Sequence, residues 1–218
     1  MKRFLRNNGL SLAFFVAFLL TLLVGQLLTG YQVYNEDFLD HGFKAQTLAR
    51  YVLTGHFLEA TMENWESEFL QMFTFVLASA WLFQRGSAES RNPEETRPPR
   101  HRIGPHSPAP AKRGGWAKAL YGHSLSIAFL LCFLLFFWLH AVGGAEEQNR
   151  QLLLHGGGPP VTTWKFMAGS QFWFESFQNW QSEFLSVAAV VVFSIFLREK
   201  GSSQSKPVES THSETGTG

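Results

Sequence analysis

Asn64-Trp65-Glu66-Ser67-Glu68-Phe69-Leu70 returns later in the chain as Asn179-Trp180-Gln181-Ser182-Glu183-Phe184-Leu185, identical at six of seven positions at an offset of 115. Upstream, His41-Gly42 matches His155-Gly156 and Gly55 matches Gly169, both at an offset of 114. Downstream, each copy enters a short apolar block and leaves it through a basic residue followed by Gly-Ser, at Arg85-Gly86-Ser87 and Lys200-Gly201-Ser202. Agreement at one fixed spacing over so much chain marks a duplicated unit.

Each copy contains two apolar blocks. Residues 10–28 and 124–142 are uncharged stretches of 19 residues, long enough at about 1.5 Å per residue to cross most of a hydrocarbon layer of about 30 Å. Residues 69–83 and 184–197 are shorter, and alone they would suit core helices of a soluble protein. The repeat extends them. Leu58, Met62, Trp65 and Phe69 keep helical spacing, and Trp173, Phe177, Trp180 and Phe184 hold the same spacing in the second copy. The second helix of each unit therefore begins near Gly55 or Gly169, amphipathic first and apolar later. The expectation is an all-α membrane protein. It has four transmembrane helices, at 10–28, 64–83, 124–142 and 178–197, from two tandem hairpins of the same orientation. Short amphipathic helices cover the outer face. The first block offers no small-residue cleavage motif, so it is read as a span and not as a signal peptide.

Basic residues orient these spans. From the N-terminus, the successive polar segments carry 3, 2, 8, 2 and 3 Lys and Arg. That alternation places both termini and the middle loop in the cytoplasm of a cell membrane. The segments assigned outside hold 11 Asp and Glu against 4 Lys and Arg; those assigned inside hold 14 Lys and Arg against 6 Asp and Glu. The net charge of +1 hides two opposite faces and gives no reason to expect nucleic acid. The chain then divides into a first two-span repeat (1–85), a basic linker (86–115), a second repeat (116–201) and a tail (202–218). Six of the nine prolines fall within 86–115, and both linker and tail are too polar to bury a core, so disorder is expected there.

The acidic pair is the leading candidate site. Glu68 and Glu183 fall about 6 Å inside the outer boundary of their spans by residue count. Asn64 with Ser67, and Asn179 with Ser182, share their helical faces. An acid within the bilayer is a site hypothesis by default. The competing reading is architectural: both helices start outside, where the helix dipole favours Glu by about 0.3–1 kcal/mol, and Trp65 and Trp180 stand where an aromatic belt would.

Other chemistry finds little support. Only His123 and His140 lie on a span, at opposite ends of one helix, so two imidazoles cannot face each other across a haem. His41 and His155 precede glycines and read as helix C-caps, with metal binding by the pair as the alternative. There is no G-x-S-x-G, no H-E-x-x-H, no P-loop and no dinucleotide pattern. The single cysteine, Cys132, excludes a disulfide framework. No catalytic residue, no metal set and no cofactor is assigned.

The duplicated Asn-Trp-x-Ser-Glu-Phe-Leu, the paired His-Gly and the stretch Ser170-Gln171-Phe172-Trp173-Phe174-Glu175-Ser176-Phe177 resemble a family of bacterial integral membrane proteins catalogued only as a domain of unknown function. The resemblance implies a bacterial cytoplasmic membrane and supplies no activity or site. Three roles follow from the residues. The favoured one is a small structural or accessory protein partnered by the lipid bilayer. The next is a transporter or ion binder using the paired glutamates, which predicts a homo-oligomer. The third is a membrane enzyme or redox subunit.

Overall fold

The computed structural model describes residues 2–94 and 102–216. The centre of the expected linker, 95–101, and the end of the expected tail, 217–218, lie outside the described residues. Among the described residues the fold is all helical, without strands. Helix α1 (Lys2–Leu20) passes through one widened π turn (Thr21–Gln26) into α2 (Leu27–Asp40). Two short helices, α3 (Leu48–Tyr51) and α8 (Thr163–Met167), precede the long helices α4 (Gly55–Trp81) and α9 (Ser170–Phe196), each 27 residues. Between them come α5 (Ala109–Arg113), α6 (Gly115–Gly122) and α7 (Ser124–Leu154). The second helix of each copy begins where the amphipathic spacing says it should, at Gly55 and beside Gly169.

Among the described residues, three helices are long and apolar enough to cross a membrane: residues 3–40 taken as one, α7 and α9. This corrects the expectation of four. Helix α4 is long enough, about 40 Å, but Glu59, Glu63, Glu66 and Glu68 occupy its first half and Gln71 follows, leaving too short an apolar run. The apolar surface of the others is open: Leu10, Phe14, Leu131 and Phe193 are 75%, 70%, 61% and 58% exposed.

Stretches at the repeat offset adopt the same local structure. Asn35 donates to the Gln46 carbonyl and accepts from the Gln46 N–H; Asn149 does the same with Val161. Each asparagine thereby pins the loop that returns from a helix end. At those ends Gly42 and Gly156 take left-handed φ of 78° and 98°, and the N–H groups of Phe43 and Gly157 reach back to the Phe38 and Leu152 carbonyls, a Schellman closure in both places.

The chain forms two compact units. The first comprises 1–62 and 138–172. Its core gathers Tyr34, Tyr51, Ala141, Ala145, Phe166 and Phe172. There α4 and α7 approach through glycines, since a Cβ on Gly55 would lie 2.6 Å from the Gly143 carbonyl.

The second unit comprises 63–137 and 173–218, and its interior is aromatic. Trp65 and Phe69 meet Phe136 (5.2 Å each between ring centres), and Trp180 meets Phe133 at 6.0 Å. The segments expected to be disordered have structure at both ends. Ser87 is fully buried and shares a hydrogen bond with Ser194, Gly86 N–H donates to Thr215, and the buried Lys206 ammonium donates to the Thr211, His212 and Glu214 carbonyls. Backbone carbonyls here replace the apolar core that the composition could not supply.

Candidate functional site

The close glycine contact between α4 and α7 decides what lies beside it in the first unit. A Cβ on Gly143 would sit 2.5 Å from the Glu59 backbone nitrogen, and one on Gly144 would sit 2.8 Å from Glu59 Oε1. The glycines therefore leave room for the Glu59 carboxylate against α7. One turn earlier on α7 stands His140, fully buried with the Phe172 ring 4.8 Å away and the Phe166 ring 6.5 Å away. A Glu59 carboxylate oxygen and a His140 ring nitrogen lie within 4.8 Å of each other. Such a pair, walled by phenylalanines, can exchange a proton or supply two ligands to a cation.

Around this pair the first unit carries a second polar layer. Gln26 donates to the Thr61 hydroxyl at 2.9 Å, and Thr61 donates to the Phe57 carbonyl. Tyr51 and His56 Nδ1 are 3.1 Å apart. Burial, with help from Glu147 and Tyr34, pushes the Tyr51 hydroxyl up to about 12, so it keeps its proton while sharing a hydrogen bond with the His56 ring. Burial also lowers the His56 ring below the usual histidine range, a shift Glu147 only partly opposes. Arg150 donates to both Glu147 oxygens (2.8 and 2.5 Å) and to Asp37 (2.7 Å), and its guanidinium lies 4.8 Å from the centre of the Tyr34 ring. Gln151 closes the network on Asp37 and Glu147.

In the second unit the sequence-predicted residues separate. Glu183 is half-buried, and Glu68, exposed, is near enough to act on it through its charge. Ser67 is buried with its hydroxyl turned to the Asn64 carbonyl, while Ser182 is exposed and bonded to the Asn179 carbonyl. Asn64 is exposed; Asn179 instead donates to Glu63 at 2.5 Å. The fully buried acid of this unit is Glu66, which accepts from Trp180 Nε1 at 3.2 Å. Gln71 donates to the Ser186 hydroxyl at 2.7 Å, and these two residues are equivalent under the 115 offset, as are Glu68 and Glu183.

Sequence reasoning gave no role to Glu59, Glu63 or Glu66 and weighed His140 only as a haem ligand. Glutamates at 59, 63 and 66 keep the four-and-three spacing of one helical face, a signal present in the sequence. Matching the copies hid it, because the second copy has Phe174, Gln178 and Gln181 at those places.

A family model described as a domain of unknown function, DUF6766, matches residues 1–217. No curated protein and no solved structure matches the chain.

Proposed function

Because the chain belongs to the DUF6766 family of unknown function, its role has to come from its own residues, and we propose that it is an integral membrane protein binding a cation, either a proton or a divalent metal, at Glu59 and His140. The observation that carries this reading is a fully buried histidine on an apolar helix with a carboxylate within 4.8 Å. An ionisable group in such a place is costly unless it is used. The same pattern at the two copies of the turn, the asparagine clamp and the Gln71–Ser186 contact supports a duplicated hairpin. The basic excess at the N-terminus, in the middle segment and after residue 197 supports cytoplasmic termini in a bacterial cell membrane. Helix α4 crosses with the others on protein contacts, its own apolarity being too small.

The test is a thermal-unfolding series on the detergent-purified protein from pH 5 to 8, with and without Zn²⁺, Mn²⁺, Na⁺ and K⁺. A cation that binds only the folded state adds about 2.7 kcal/mol at a hundredfold excess over its dissociation constant. The stabilising response should be lost in Glu59→Gln and in His140→Gln, glutamine being what the first copy carries at the equivalent Gln26. It should persist in Glu68→Gln/Glu183→Gln. Equal responses in all four proteins would overturn the assignment. They would favour the structural role, which the fully closed network around Arg150 supports.

A further inference from the structure

We propose that His41 and His155 form a two-imidazole site for a transition-metal ion such as Zn²⁺ or Cu²⁺, separate from the Glu59–His140 pair. The two residues occupy equivalent places in the repeat, each at the Schellman turn ending a long helix, and both are exposed. Their rings meet edge to face, with centres 4.8 Å apart and planes inclined at 70°. Two imidazoles sharing one ion through bonds of about 2.1 Å place their ring centres about 5 Å apart.

The tautomer is prepared as well. Nδ1 of His41 lies 2.8 Å from the Asp37 carbonyl, and Nδ1 of His155 lies 2.9 Å from the Gln151 carbonyl. Each carbonyl can only accept, so each Nδ1 carries the hydrogen and each Nε2 keeps its lone pair for a metal. A backbone carbonyl holding the far ring nitrogen is the arrangement that orients metal-binding histidines. The electrostatics also suit a cation. Two carboxylates, Asp37 and Glu147, surround the single guanidinium of Arg150, and Asp37 Oδ1 is 3.3 Å from the His41 ring. Capping explains one histidine at a helix end; it does not require the two copies to meet.

The experiment is calorimetric titration of Zn²⁺ into the full-length, tag-free protein, with Cu²⁺ electron paramagnetic resonance on the same sample. The Glu59→Gln/His140→Gln protein, which lacks the interior pair, should take up one equivalent and show coupling to two imidazole nitrogens. His41→Asn and His155→Asn, which keep a residue suited to the cap, should each weaken binding at least about tenfold. Glu59→Gln/His140→Gln should retain this site, so failure of the interior assignment and failure of this one are separable. As a check independent of the variants, Zn²⁺ should shield His41 and His155 of wild type from diethyl pyrocarbonate. Absence of Zn²⁺ binding by wild type, or undiminished binding by His41→Asn/His155→Asn, would overturn the proposal.

Discussion

At the scale of single residues, the first unit is organised by charges that are paired and only slightly exposed. The side chains of Arg150, Glu147 and Asp37 are 13%, 12% and 28% exposed, so removing the guanidinium leaves two acids poorly hydrated and unpaired. Arg150→Met should therefore cost about 2–3 kcal/mol, below the range for a fully buried pair because solvent still reaches Asp37. Arg150→Lys should recover only part, since an ammonium cannot bridge both carboxylates with a planar fork. Denaturant unfolding in detergent measures both. His56 supplies a pH dependence. Its folded-state affinity for protons is lowered, so below the ordinary histidine pKa of about 6.5 the unfolded chain binds a proton the folded chain refuses, and stability falls with acidification. His56→Gln, matching Gln171 in the second copy, should flatten the decline between pH 7 and 5 relative to wild type.

At the scale of elements, glycine placement separates contact from mere helix composition. A Cβ on Gly144 of α7 would overlap the Phe166 ring, and one on Gly30 of α2 would overlap the Tyr51 hydroxyl, whereas Gly9 of α1 has open space around it. Gly144→Ala should thus destabilise by about 1–3 kcal/mol, while Gly9→Ala should gain about 0.5–1 kcal/mol from helix propensity; thermal melts of the two variants decide it. The same distinction explains what the sequence made legible. The starts of α4 and α9 and the His-Gly helix ends were readable because their determinants, apolar spacing and a glycine after the last turn, lie within a few residues. The π turn at Thr21–Gln26 left no mark on the apolar pattern. The Ser87–Ser194 and Gly86–Thr215 contacts join residues more than 100 positions apart, which composition cannot report. His140 was visible as a lone histidine, yet its neighbour Glu59 is 81 residues away, and nothing local links them.

At the scale of the whole molecule, the argument turns on charge asymmetry and on α4. Among the described residues three helices are long and apolar enough to cross a membrane; α4 carries four glutamates and is not one of them. The half-buried Glu63 pairs with Asn179 and the fully buried Glu66 with Trp180. Such partners lower the cost of burying a polar group in hydrocarbon. If α4 crosses with them, the segments before residue 10, around 107 and after 202 share one side, the side that the excess of Lys and Arg marks as cytoplasmic. If α4 lies along the surface instead, residues 44 and 107 share a side, residue 158 lies opposite them, and the tail emerges on the side of residue 107. Cysteine labelling separates these arrangements. In a Cys132→Ser background, single cysteines at Lys44, Ser107, Gly158 and Ser203 would be treated with a membrane-impermeant maleimide in intact cells. The expected outcome is labelling at 44 and 158 and none at 107 and 203 until the membrane is opened. Labelling of 44 and 107 together in intact cells, or of neither until the membrane is opened, would place α4 on the surface. It would also remove the membrane interior from the environment of its glutamates, since their burial would then be that of a helix packed against protein at a water interface.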